Sequence, residues 1–208
     1  MQESTIPPND KPISSIRTQP GELYKETFDQ ILSGFVTALN MNNGNIDLVS
    51  LSTIEAVSDV DPNMLEMYYK NTRAILNEVI SYLQGLIIQA AAYAGNHDAK
   101  DAIRHFLELL SGQPMMLRTL QASKRNSFWV QNLKGFVRKV AASWPEEDKV
   151  LWDDLYCVLC FQFQQLLDHW AATGYTPGQI AMLTRHFCAW INADGVFAHS
   201  FQNPTEVN

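Results

Sequence analysis

The side chains best suited to chemistry in this sequence lie near its carboxyl end, where two cysteines are separated by two residues. Cys157 and Cys160 have the CxxC spacing of zinc and redox sites, and His186 and Cys188 follow further along the chain. A structural zinc site needs a second pair of ligands, and only His186 and Cys188, on the next predicted helix, could supply it. Because apolar residues surround the pair, the sequence favours buried thiols of a helical core over a metal site.

Asp168 and His169 form a second possible fragment of a catalytic site. A hydrolase would also need a nucleophile, and the sequence contains no motif such as GxSxG to supply one. A helix cap or an interface residue is therefore the favoured interpretation of this pair. We expect no enzymatic activity, no cofactor and no bound metal.

A group of polar side chains in the amino-terminal third would suit contacts with nucleic acid. Asn63 can read a base edge, Tyr68 can donate to a phosphate, and Lys70 and Arg73 can neutralise phosphates. The predicted DNA-facing residues are Asn63, Met64, Met67, Tyr68, Lys70 and Arg73. The alternative is a head that keeps its fold but binds a protein partner instead of DNA.

The charge of this part of the chain favours that alternative. Residues 1–76 contain five lysines and arginines but ten aspartates and glutamates, a net charge of −5. The whole chain has a formal charge of −7, so the remaining residues are nearly balanced. A surface that binds phosphates normally has the opposite sign. Lys11 and Arg17, in an amino-terminal arm, could supply some positive charge from outside the folded head.

Hydrophobic spacing predicts that the elements positioning these side chains are all α-helices, roughly nine in number, with no strand. The first helix is expected over Glu22–Met41, and two short helices then flank a tight turn near Asp59. A long helix over Thr72–Ala94 follows, with Asn71 or Thr72 as its amino-terminal cap. Further helices are predicted at about 98–111, 115–120, 128–144, 145–172 and 176–198.

The composition fits a globular protein of one or two domains. Of the 208 residues, 46% are apolar and 18% charged, enough to bury a substantial core. We expect no membrane-spanning segment, because polar residues interrupt the longest apolar run, and the first twenty residues lack the features of a secretory signal. Three cysteines cannot all pair within one chain, which favours a reducing, cytoplasmic compartment.

The apolar positions of the two short helices and the helix after them have a recognisable pattern. Ile54, Val60, Leu65 and Ile75 recur at helical spacing, and Tyr69 closes the second short helix. In type and spacing these residues resemble the packing positions of the TetR family of bacterial transcriptional regulators. The resemblance extends over nearly the whole chain in layout: a three-helix head, a long fourth helix and a body ending in two long apolar helices.

Departures from the family pattern fall on positions that contact DNA or shape the turn. Asp59 replaces the turn glycine, and because an aspartate can occupy a left-handed turn at modest cost, we expect the fold to tolerate this change. Glu66 replaces a tyrosine that touches a phosphate, and Thr72 replaces a lysine that does the same. The loop over residues 41–50 is about two residues longer than is usual in the family.

The resemblance implies a homodimeric regulator that binds DNA and is released or modulated by a small apolar ligand. Its expected parts are a flexible arm (1–20), a helix-turn-helix domain (21–76) and an effector-binding and dimerisation domain (77–208). Aromatic and sulfur-containing residues in the body could line the ligand pocket, with a few polar anchors. The predicted pocket comprises Tyr82, Arg104, His105, Phe106, Met116, Phe128, Trp129 and Asn132. The alternative for these residues is a plain packed core.

The last two long helices have more apolar surface than one subunit needs to bury. Two such helices meeting their symmetry mates would form a four-helix interface, which is common in the resembled family. The predicted interface residues are Leu159, Phe163, Leu166, Trp170, Leu183, Phe187 and Trp190. We therefore expect a homodimer.

Overall fold

The computed structural model describes residues 22–125, 127–140 and 176–191, together with helical residues 157, 160, 161, 164, 165 and 169. These residues contain no strand, which confirms the predicted all-α class. Their helices are α1 (Glu22–Met41), α2 (Leu51–Val57), α3 (Pro62–Tyr68), α4 (Thr72–Ala94), α5 (Ala99–Ser111), α6 (Pro114–Ala122), α7 (Ser127–Val140) and α8 (Pro177–Ile191). A single 3-10 turn, Ile46–Leu48, lies between α1 and α2. The predicted arm, and most of the helix predicted at 145–172, lie outside the described residues.

Side-chain caps fix where the helices of the head begin. Ser50 accepts from the backbone N–H of Thr53 in a reciprocal capping box, and Asp61 caps α3 directly before a proline at its first position. Of the two predicted caps of α4, Asn71 is the residue that accepts a backbone N–H, and Asp98 caps α5 in the same way. Each such cap is worth about 1 kcal/mol, so the turns between these short helices are well defined.

The core of the head consists of the apolar residues that the spacing predicted. Ile54, Val60, Leu65, Tyr69 and Ile75 are all buried. They pack with the inward face of α1, which contacts both α2 and α6. The buried residues of α1 are Phe28, Ile31, Leu32, Gly34, Phe35, Ala38 and Leu39. Helix α1 therefore joins the two short helices to the rest of the molecule.

The turn between α2 and α3 does not use the left-handed conformation that was open to Asp59. Among the described residues other than glycine, only Asn43 and Lys124 have positive φ, so Asp59 is not left-handed. The chain instead leaves α2 through Ser58 in an extended conformation (φ −133°, ψ 158°), and the Ser58 hydroxyl donates to the carbonyl of Ile54 at 2.8 Å. Since the serine closes the helix, the turn needs neither a glycine nor a strained aspartate.

Helix α4 is the centre of the body and packs against α5, α6 and α7. Its buried residues include Leu83, Ile87 and Ala90. By length and composition alone α4 is apolar enough to cross a bilayer, whereas the sequence led us to expect no such segment. Long core helices of soluble proteins have the same property. Helix α8 packs against α5.

Candidate nucleic-acid interface

Helix α3 has one anchored face and one open face. Leu65 is fully buried, and Tyr69, at the end of the helix, is buried beside it. Asn63 and Met67 are exposed, the latter by 69%, while Met64 and Tyr68 are half-buried. Four predicted DNA-facing residues therefore lie wholly or partly at the surface on a helix that is held from behind.

Two predicted cations complete this face, and one of them is already engaged. Lys70 and Arg73 are exposed. The Arg73 guanidinium donates to Asp47 in the 3-10 turn, and this hydrogen bond, reinforced by the charge of Asp47, raises the pKa of Arg73. Arg73 remains charged, but a nearby carboxylate offsets its attraction for a phosphate. The sequence did not reveal this pairing, because it depends on how the loop over residues 41–50 folds back.

The open face of the head is rich in carboxylates. Asp59, Asp61 and Glu66 are all exposed, in or beside α3. Of the two described cations on this face, Lys70 is the one that forms no ion pair with a carboxylate. Asp61 also has a structural task, since it accepts the backbone N–H of Asn63 at 2.9 Å. The face therefore repels phosphates on balance, and screening confines that effect to about 10 Å.

The position at which the resembled family has a lysine has a structural role here. Thr72 is buried, and its hydroxyl donates to the carbonyl of Val49 at 3.0 Å. The bond attaches the loop before α2 to the first turn of α4. A phosphate contact at this position is excluded by burial, so DNA binding would depend on α3 itself.

No family model, curated protein or solved structure matches this chain. Any inference about function therefore depends on features of this chain itself, namely the two short helices, the capped turn and the exposed face of α3.

The apolar members of the predicted ligand pocket lie in the core. Phe106, Met116, Phe128 and Trp129 are each at most 7% exposed. The ring of Phe106 packs on that of Phe136 with centroids 4.7 Å apart, and Phe128 meets Trp129 edge to face. These contacts favour the interpretation of a packed core, since the rings contact each other.

The polar members of that predicted pocket are engaged in separate places. Tyr82 is 40% exposed, and its hydroxyl accepts a hydrogen bond from Gln113 at 3.2 Å. Asn132 accepts from Gln84 at 3.0 Å across the α4–α7 contact. Both are therefore bonded to neighbouring elements.

Arg104 and His105 lie on α5, away from those bonds. Arg104 is exposed and forms ion pairs along its own helix with Asp101 and Glu108. The His105 ring stacks on Tyr93 with centroids 4.2 Å apart. The structure does not bring the four polar residues to one cleft, and none of them lines either of the two clefts described between α1 and α6.

Leu183 corrects one part of the predicted dimer interface. It is only 3% exposed within a single chain, on a helix that packs against α5. A residue already buried in the monomer has no surface to offer a partner. Leu159, Phe163, Leu166 and Trp170 lie outside the described residues, and so do the side chains of Phe187 and Trp190.

Cys160 is a buried thiol, as the sequence predicted, and Cys188 is half-buried, whereas Cys157 is exposed, contrary to the expectation that both thiols of the CxxC pair are buried. Burial raises the pKa of Cys160 to about 11, with a further contribution from Cys157, while Lys134 lowers it. Burial also raises the pKa of Cys188. The described residues contain no group of three or more potential metal ligands, and the side chain of His186 and all of Asp168 fall outside them. His169 is exposed.

We expect alkylation to separate Cys160 from Cys157. Only a thiolate attacks iodoacetamide, and at pH 8 a thiol with a pKa of about 11 is almost entirely protonated as well as buried. Cys157 is exposed and should be modified at least about tenfold faster, as peptide mass spectrometry would measure. Equal rates in the folded protein would contradict the burial of Cys160. Denaturant should abolish the difference.

One polar cleft was not anticipated from the sequence. It lies between the end of α1 and α6, beside Arg118 and Lys124. Residues 109–145 contain six lysines and arginines and no acidic residue. This cationic segment is the sequence feature that could have predicted a polar cleft here. It was missed because the net charge of the whole body is close to balanced.

Proposed function

We propose that this chain is a TetR-like transcriptional regulator that binds DNA through α2 and α3. The observation that supports the proposal is the disposition of α3: Leu65 and Tyr69 anchor it from behind, while Asn63 and Met67 face solvent. A helix held in this way behind a short turn is the arrangement by which helix-turn-helix proteins place side chains in the major groove.

Such a regulator would act in the cytoplasm as a homodimer. Two heads on one assembly would double the phosphate and base contacts, and so offset the weak attraction of each anionic half. A small ligand would modulate DNA binding by favouring one separation of the heads over another, since a ligand with equal affinity for both arrangements shifts nothing.

A second candidate function is supported by the charge of the same face. Asp59 and Glu66 are exposed, Arg73 is paired with Asp47, and Met67 offers an exposed apolar side chain. This combination would suit a basic protein partner with an apolar pocket for the methionine. The TetR-like scaffold would then serve recognition of a protein in place of an operator.

One pair of double variants distinguishes the two candidates. Asp59→Asn with Glu66→Gln removes two negative charges beside α3, so affinity for a genomic DNA fragment should rise about tenfold at roughly 50 mM salt. The matched control is Asp101→Asn with Glu108→Gln on α5, which makes the same change in net charge away from α3. It should alter affinity by less than about twofold, because screening limits its reach.

Fluorescence anisotropy with labelled fragments would measure both effects. Equal gains in the two double variants would mean that the DNA does not lie on α3. If no fragment binds any form at micromolar protein, the DNA-binding proposal fails. Weaker capture of a basic protein partner by Asp59→Asn with Glu66→Gln, but not by the control, would then support the second candidate.

A further inference from the structure

Helix α1 ends in a turn at residues 40–45 that contains four asparagines and one glycine. The N–H of Gly44 donates to the carbonyl of Leu39 at 2.7 Å, and the N–H of Asn43 donates to that of Asn40 at 3.2 Å. Asn43 has a φ of 54° and Gly44 a φ of 78°. These bonds form the Schellman arrangement of a helix end, whose left-handed residue is usually glycine and sometimes asparagine. Here an asparagine occupies that position, and a glycine follows it.

An asparagine followed by glycine is the dipeptide most prone to loss of the side-chain amide. The backbone nitrogen of the glycine attacks the side-chain carbonyl carbon, a five-membered succinimide ring closes, and ammonia leaves with the proton of the glycine amide. Water then opens the ring at either carbonyl, which yields aspartate or isoaspartate. The reaction consumes only water. Glycine favours ring closure because it has no side chain to obstruct the approach and a freely adjustable backbone.

The neighbouring asparagines of this turn are poorly placed for the same reaction. The Asn42 side chain donates to a backbone carbonyl of α1 at 2.9 Å, and the side chain of the next residue obstructs ring closure. Asn45 precedes the β-branched Ile46, and its side chain accepts the N–H of Asp47 at 3.1 Å. Asn43 is exposed and is followed by glycine. It is therefore the favoured position for the reaction.

The folded turn opposes ring closure at Asn43. The glycine nitrogen attacks after it loses its proton, and in the fold this N–H is held by the carbonyl of Leu39. Gly44 is also pressed against the end of α6, since a Cβ there would lie 2.6 Å from the carbonyl oxygen of Ala122 and 2.9 Å from Cγ of Lys124. Cyclisation therefore requires the turn to leave α6, just as protected amides exchange only after local opening.

We propose that Asn43 is a deamidation site controlled by the contact between α1 and α6. The residue stays intact while the end of α1 lies on α6, and it is converted when that contact opens. The modification is irreversible, so it accumulates with the time that the turn has spent open. It proceeds whether α3 binds DNA or a protein partner.

The two products differ in their effect on the turn. Aspartate keeps the length of the backbone and tolerates the left-handed conformation. Its new charge lies beside Lys124, which offsets the repulsion from the carboxyl end of the helix. Isoaspartate adds a methylene to the backbone, so the bond from Gly44 to Leu39 cannot close with the same geometry. Since the following loop is attached to α4, isoaspartate also weakens the junction of α1 with that helix.

Incubation of the full chain in mildly alkaline buffer, with and without concentrated guanidinium chloride, tests the proposal. Peptide mass spectrometry would follow the conversion of Asn43, and electron-transfer fragmentation would distinguish isoaspartate from aspartate. We expect conversion in the folded chain to be at least about tenfold slower than in denaturant, since only the open fraction reacts. Equal rates would overturn the control by the fold, and absence of conversion at Asn43 in denaturant would overturn the site.

Asn43→Gln should remove deamidation from the turn, because its longer side chain would have to close a less favourable six-membered ring. The matched control is Asn96→Gln, the same change at an exposed asparagine after α4, which should alter the rate at Asn43 by less than about twofold. Undiminished conversion within residues 40–45 in Asn43→Gln would overturn the assignment.

The isoaspartate form, separated by ion exchange, should unfold at a lower denaturant concentration than the parent. Asn43→Asp, which reproduces the other product, should unfold at nearly the same concentration as the parent. An isoaspartate form as stable as the parent would contradict the role given to the backbone of this turn.

Discussion

Phe106→Ala is expected to lower the free energy of unfolding by about 3–5 kcal/mol. The side chain is fully buried on α5 and packs on the ring of Phe136 across the body. Its removal loses the transfer energy of the ring and leaves a cavity that tightly packed neighbours fill only in part. Urea denaturation followed by circular dichroism would measure the change.

The same variant distinguishes a packed core from a ligand pocket at this position. The matched control is Ile88→Ala on α4, where the side chain is 69% exposed and the change should stay within about 0.5 kcal/mol. A loss below about 1 kcal/mol for Phe106→Ala would contradict the core interpretation. It would indicate that the ring lines an open pocket, as the sequence allowed.

Gly34→Ala is expected to destabilise the head by about 1–3 kcal/mol, even though alanine is the better helix former. A Cβ at Gly34 would lie 2.5 Å from the Cβ of Ser58 and 3.1 Å from a methyl of Ile54. Helix α1 would have to move away from α2, and the contact that supports the helix-turn-helix would open.

Gly85→Ala on α4 is a control in which the same change has the opposite sign. Nothing lies within 4 Å of a Cβ at Gly85, so only the gain in helix propensity remains. We expect that variant to be more stable than the parent by about 0.5–1 kcal/mol. Thermal unfolding of the two variants side by side would show whether α1 and α2 are in contact; similar effects of the two changes would contradict the close approach.

The helices and their packing positions were predictable because hydrophobic periodicity and capping are local properties of the sequence. The predicted bounds of α1 are those observed, and Asn71 caps α4. Ile54 and Leu65 are buried because a 3.6-residue period determines which face of a short helix meets the core.

Contacts between distant segments were not predictable. The hydroxyl of Thr72 meets the carbonyl of Val49, and Arg73 meets Asp47, only because a 3-10 turn folds the loop back onto α4. The prediction of an aromatic ligand pocket was limited in the same way, because it also depends on contacts between distant segments. A packed core and the lining of a ligand cavity have similar amino-acid compositions. Only the positions of rings such as those of Phe106 and Phe136 in the structure distinguish the two.

Chemical-shift mapping by NMR, with unlabelled DNA added to isotope-labelled protein, would test most directly whether α3 is the surface that meets DNA. With a fragment selected from genomic DNA, we expect the largest amide shifts over residues 63–73, with smaller ones at the loop that contains Asp47. Shifts confined to α6 and α7, or no shifts at saturating DNA, would contradict the proposal that this helix reads an operator.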